Sequence, residues 1–204
     1  MIPRYQKIIF LVLLVVSIAM AAVLVRLRER AHDRLLRGED LAPTTAPVVA
    51  PAEQATLLVA NDLDGSLTPE ARSLPLPKDE EARARALLDR LLEVYAAAGA
   101  THPVPGVPRA VEQVFLLPAP QGKAGELAVV NLAGAFADGH PAGIQAEMLT
   151  VQSICGTLRA NLPRIAEVRF LVDGQPRATL AGHADLTRTY LTADAPATAG
   201  AGRE

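Results

Sequence analysis

The chain has 204 residues, a single cysteine, no tryptophan, aromatic residues at 3% and a formal net charge of −2. That balance gives no electrostatic case for nucleic acid and leaves few rings on which bases or sugars stack. One cysteine makes neither an intrachain disulfide nor a cysteine-based zinc cage.

Residues 1–7 form a short basic N-terminus with Arg4 and Lys7. Ile8–Val25 follows, eighteen residues with no charge and one hydroxyl. As a helix it rises about 27 Å, close to the roughly 30 Å hydrocarbon thickness of a bilayer. Two readings compete. One is an uncleaved transmembrane signal-anchor; the other is a secretory signal cut near Ala19-Met20-Ala21. The run continues past that site to Val25, and its length favours the anchor. A lipid anchor needs a cysteine just after the apolar run, whereas the chain's one cysteine is Cys155. Arg26, Arg28, Arg30, Arg34 and Arg37 follow the run, and on charge alone they place the larger part in the cytoplasm.

Residues 26–54 read as a linker, charged through Asp40 and then Pro/Ala-rich over Leu41–Glu53. One domain is expected over 55–191, and a disordered Ala/Gly/Thr-rich tail over 192–204. Within the domain, Thr56–Ala60 predicts a strand that enters the turn Asn61-Asp62-Leu63-Asp64-Gly65. Asp79–Ala98 predicts a helix: Asp79 is a suitable N-cap, Glu80 and Glu81 sit in the first turn, and Leu87, Leu88, Leu91, Leu92 and Tyr95 form an apolar stripe. Gly99 stops it, and the three prolines of Thr101–Pro108 prevent its continuation.

Val111–Leu117 and Glu126–Leu132 predict two strands. A second helix spans about 143–161, with Ile144, Met148, Val151, Cys155, Leu158 and Leu162 on one stripe. Val168, Phe170 and Val172 alternate with Arg169 and Leu171 as a half-buried strand, and Asp173-Gly174 signals a hairpin into Gln175–Ala181. The expected fold is α+β: one mostly antiparallel sheet with two helices on one face, preceded by the transmembrane helix.

Several constellations suggest chemistry. Asp62-Leu63-Asp64-Gly65-Ser66-Leu67 after a strand resembles the first motif of haloacid-dehalogenase-type phosphatases, where paired aspartates hold Mg²⁺ and accept the phosphoryl group. The supporting lysine and distant acidic pair find no good match, and a polar β-turn explains the same residues. As a calcium loop the segment fails, because Ser73 stands where a bidentate glutamate is needed. His183-x-Asp185 lacks a third ligand at fitting spacing. Cys155 lies on the apolar stripe and reads as a small buried hydrophobe. No catalytic, cofactor-binding or metal-ligating residue is therefore expected. A peptidoglycan or small-ligand binding module remains a further alternative.

The second half carries a resemblance. Ser153–Leu158, Asn161-Leu162-Pro163, Val168–Val172, Asp173-Gly174 and Leu180-Ala181-Gly182-His183-Ala184-Asp185-Leu186 resemble the GerMN domain family of sporulation and spore-germination proteins, a domain also found in other bacterial envelope proteins. Earlier stretches agree: Leu57–Asp62, Leu67–Arg72, Val114–Leu117 and Leu127–Leu132. The resemblance implies a non-enzymatic α/β module beyond the cytoplasmic membrane, with Asp62–Ser66 as the first hairpin turn. It implies as partners other envelope proteins, or a second copy of the chain. This chain departs from the family in having one copy of the domain and a transmembrane rather than a lipid anchor. Helices on one sheet face leave the other open. With Glu112 and Arg169 read as solvent-side, Leu116 and Leu171 are expected to share that face, and Leu116, Leu171 and Arg169 are the expected interaction surface.

Overall fold

The computed structural model describes residues 52–119 and 124–194, together with Leu13, Val16, Ser17, Met20, Ala21, Val23 and Arg26, which are helical. The chain divides into two compact units, Met1–Val49 and Ala50–Glu204. Most of the expected membrane span Ile8–Val25, nearly all of the linker and the tail from residue 195 lie outside the described residues. Among the described residues, no helix is long and apolar enough to cross a membrane.

In the second unit the α+β expectation is met, but the strands divide between two sheets. Ala52–Asn61 (β1) and Ser66–Pro75 (β2) form an antiparallel hairpin with Asn61 opposite Ser66. Its turn is closed by side chains: Asn61 Oδ1 accepts the Leu63 N–H, and Asp64 Oδ1 accepts the Ser66 N–H. Gly65 supplies the left-handed residue, φ +69°. Nothing in SLTPEARSLP alternates cleanly, and Pro69 sits in it, so β2 is visible only through its pairing.

The second sheet has the order β3–β4–β5–β6, where β3 is Val111–Pro118, β4 Glu126–Leu132, β5 Ile165–Val172 and β6 Tyr190–Leu191. β3/β4 and β5/β6 are antiparallel, but β4/β5 is parallel. Parallel neighbours need a long crossover, and the helical segment between β4 and β5 supplies it. The expected strand Gln175–Ala181 does not form. After the Asp173-Gly174 turn the ladder holds only at Val172–Gln175 before the chain leaves it, and β6 takes the edge position instead.

Glu80–Ala96 (α1) matches its expectation: Asp79 accepts the Ala82 N–H at 2.8 Å, and Leu87, Leu88, Leu91, Leu92 and Tyr95 are buried. Gly134–Gly139 (α2) is a short helix that the sequence reading does not contain. Ile144–Asn161 (α3) is wrapped more completely than its stripe implies. Val151, Cys155 and Leu158 are buried as expected, but so are Thr150, Ser153, Ile154 and Thr157, while Ile144 is 71% exposed. α1 and α3 pack on each other, α1 against β3, and α3 against both β5 and β1. Their side chains join Val114, Ala128, Val130, Val168 and Phe170 in one core.

The polar flank of α3 has a definite task. β1 pairs with β2 along one edge, and its other edge is satisfied by side chains. The N–H groups of Thr56, Leu58 and Ala60 donate to Asn161 Oδ1, Thr157 Oγ1 and Tyr95 Oη at 2.9 Å each. The carbonyls of the same three residues accept from Asn161, Tyr95 and Thr101. Buried backbone groups need partners, and here helix and loop side chains supply them.

Candidate functional site

Two features stand out: the uncovered face of the four-stranded sheet and a buried polar array at the start of α3. On the sheet, residues in register project to the same side. Leu116 is opposite Ala128, which is opposite Val168, and the last two are fully buried. Leu116 therefore points inward and packs on the core. The other side carries Phe115, Val129 and Arg169 in one row, Leu117, Leu127 and the buried Glu167 in a second, and Gln113, Asn131 and Leu171 in a third. The expectation that Leu116 and Leu171 share a face is thus corrected. A β-bulge between Val111 and Gln113 turns Glu112 and Gln113 both outward, and one extra residue moves everything after it to the opposite side.

Arg169 and Leu171 remain on the outer side, Arg169 exposed and Leu171 half-buried. Phe115 is 41% and Leu117 48% exposed beside them. The nearby edge of β3 is partly blocked, because the Leu116 N–H donates to Glu81 Oε1 of α1 at 3.0 Å.

The family-motif residues prove to be architectural. Asp173 Oδ1 accepts the Gly134 N–H at 2.6 Å, and the Gly174 N–H donates to Asn131 Oδ1. A Cβ at Gly134 would lie 2.2 Å from Asp173 Oδ2, so any larger residue there has to displace that carboxylate. Gly182 adopts φ +123°, and the loop around it closes on Glu147. The Glu147 Oε2 atom accepts the N–H groups of Ala181, His183 and Ala184, while Oε1 meets His183 Nδ1 at 2.8 Å and the Gly143 N–H. Asp185 Oδ1 accepts from Thr187 within the same loop. Burial alone would raise the pKa of Glu147, but these N–H donors and the His183 ring more than reverse it, to about 2. Sequence reading passed over Glu147. Its signal is position: it is the one acid of α3 and stands three residues from Ile144 and four from Val151, on the stripe.

Beside it lies a chain of polar contacts from four segments. Asp62 Oδ1 is 2.6 Å from His102 Nδ1, His102 Nε2 is 2.7 Å from Thr150 Oγ1, and the same oxygen is 2.8 Å from His140 Nε2. Carboxylate, imidazole and hydroxyl in line have the form of an acid–base–nucleophile relay. The surroundings argue otherwise. Thr150 is fully buried and its oxygen is held between two rings, and two surface cavities, one of about 340 Å³ between Asp89 and Ala110 and one beside Ala124 and Ala166, are lined by other residues.

The same contacts bear on the aspartate pair. Asp62 is committed to His102, and Asp64 to its own turn through Ser66. Among the described residues, no group of three or more His, Cys, Asp or Glu is placed to hold a metal ion. Cys155 is buried, and burial pushes its thiol up to about 12.

A family profile described as Germane, sporulation and spore germination, matches residues 30–178. Among solved structures, a candidate lipoprotein from Clostridium perfringens is similar at 19% identity and a TM-score of 0.45, covering 74% of this chain and 95% of that one. The tandem GerMN domains of the sporulation protein GerM from Bacillus subtilis give 20% identity and a TM-score of 0.46, covering 74% of this chain and 51% of theirs. The first of those domains alone gives 19% and 0.38, over 66% of this chain and 92% of that one. Comparison with curated proteins gives no match.

Proposed function

We propose a function from one premise: this chain belongs to the Germane family, whose description is sporulation and spore germination. In this reading it is a membrane-tethered, extracytoplasmic domain that works by binding other envelope proteins and performs no chemistry of its own. The observation that carries the reading is the outer face of the four-stranded sheet. One side of that sheet is packed by α1 and α3, while the other leaves Phe115 and Leu117 open to solvent beside Leu127, Val129 and Leu171. Contiguous apolar surface of this kind marks a protein contact, and Arg169 among aliphatic and aromatic neighbours has the composition of a binding centre.

The tether is supported by Leu13, Val16, Met20 and Val23, four helical residues with exposed apolar side chains inside the uncharged run Ile8–Val25. The absence of chemistry is supported by the engagement of Asp62, the burial of Thr150 and the raised thiol of Cys155.

A photoreactive amino acid placed in the full chain at Phe115 or Leu117 tests the surface. Discrete crosslinked partners are expected in the producing cells, and they should disappear when Leu171→Asp is added. Leu63, 94% exposed on the hairpin tip, serves as the control position and should give none. Equal adducts from Leu63, or none from either face position, would overturn the surface. Protease added to intact spheroplasts should digest the domain; a protected domain would overturn the location.

A further inference from the structure

Every histidine among the described residues converges on the first two turns of α3. His183 binds Glu147, while His102 and His140 share the single oxygen of Thr150. The proton positions follow from the acceptors. The Pro141 carbonyl, 2.9 Å from His140 Nδ1, can only accept, so that nitrogen carries hydrogen. In the neutral ring Nε2 then accepts the Thr150 hydroxyl, and the Thr150 oxygen accepts from His102 Nε2–H. Asp62 Oδ1 also only accepts, so His102 carries hydrogen on Nδ1 as well and is the imidazolium of the two rings, paired with that carboxylate. A second proton on His140 breaks this order. Two N–H groups then point at one oxygen, and the hydroxyl hydrogen has to turn to the Ala146 carbonyl, 3.2 Å away.

The second cation would also be buried. His102 is 0% and His140 5% exposed, with ring centroids 6.3 Å apart. The groups around the pair come from every packed element. Asp62 comes from the hairpin turn, Tyr95 of α1 lies edge-on to His102, and Phe136 of α2 lies edge-on to His140. Glu147 of α3 is already occupied by four backbone N–H groups and His183. Asp138 at the end of α2 is paired outward with Arg177. Burial lowers the proton affinity of His140, in agreement with the geometry.

The connection between α2 and α3 gives this charge a way out. From Asp138 to Gln145, His140 is the one buried side chain, and glycines 139 and 143 flank it. We propose that the Thr150-bridged pair of His102 and His140 is an acid-sensitive latch: proton uptake at His140 expels its ring and frees the loop 139–143 from the domain, while the core stays folded.

Two readouts on the full chain in detergent micelles test it. Histidine C2–H exchange, read by mass spectrometry against pH, reports the protonation of His140. Amide exchange, corrected for its intrinsic pH dependence, reports the loop. Between pH 7.5 and pH 5, peptides covering 139–143 should lose at least tenfold in protection as His140 titrates, while peptides from β5 and the C-terminal half of α3 keep theirs. In His140→Asn the loop should show no such pH dependence. A His140 that stays neutral to pH 5 with the loop protected overturns the latch, and so does loss of protection by loop and core together. If His140→Asn fails to fold, the wild-type titration still decides between these outcomes.

Discussion

Glu147→Gln is the substitution with the largest calculable effect. The side chain is fully buried, and its carboxyl is held at about 2 against an ordinary value of 4.5. That difference corresponds to roughly 3 kcal/mol of preference for the charged over the neutral form. Glutamine retains one acceptor oxygen for the Ala181, His183 and Ala184 N–H groups, but its amide then meets the Gly143 N–H donor to donor. At pH 7 the variant should therefore lose about 3 kcal/mol in denaturant unfolding, or roughly 10 °C in Tm for a domain of this size. The pH course separates the charge from mere packing. A carboxyl whose folded pKa is depressed contributes fully above its unfolded value and loses that contribution as pH falls toward its folded value. The gap between wild type and Glu147→Gln should thus be complete above about pH 5 and close as pH falls toward about 2. A gap that stays constant from pH 7 to pH 2.5, or one below about 0.5 kcal/mol at pH 7, would refute the assignment of the loop's stability to this carboxylate.

Thr157→Val keeps the shape of its side chain but leaves the Leu58 N–H without its acceptor, so urea unfolding should show a loss of about 1–3 kcal/mol. Leu116→Asp should destabilise the fold by more than about 2 kcal/mol, whereas Phe115→Asp should move Tm by only a few degrees and abolish partner crosslinks. The reverse ranking would return Leu116 to the outer face. Cys155 should resist iodoacetamide in the native protein at pH 8 and react only with unfolding, because its thiol is buried and its pKa is near 12; rapid native labelling would contradict that burial.

What the sequence revealed was local. Asp79, the leucine stripe of α1 and the alternation of Val168, Phe170 and Val172 each act within a few residues, and each element formed as read. The hairpin signal at Asp173-Gly174 was real as a turn, with both residues at positive φ. The chain beyond it turns toward the Glu147 carboxylate, a partner no local pattern announces. Leu116 was misplaced for a similar reason: period-two counting assumes an unbroken ladder, and one bulged residue reverses the count. Asp62, His102, His140 and Thr150 were each visible, yet only the fold puts them in contact. On α3, Thr157 and Asn161 fall in the stretches that carry the family resemblance, but no local pattern shows their task, because the strand they serve lies about a hundred residues earlier.

That strand's outer border limits how copies of this domain, or its neighbours, can be joined. Each amide and carbonyl from Thr56 to Ala60 that looks away from β2 is already answered by Asn161, Thr157, Tyr95 or Thr101. An incoming segment finds no vacant rung between Thr56 and Ala60, so fibre-like extension has no starting point on that stretch of β1. Contact along this stretch of β1 has to proceed side chain against side chain, in contacts that sequence changes can tune one residue at a time.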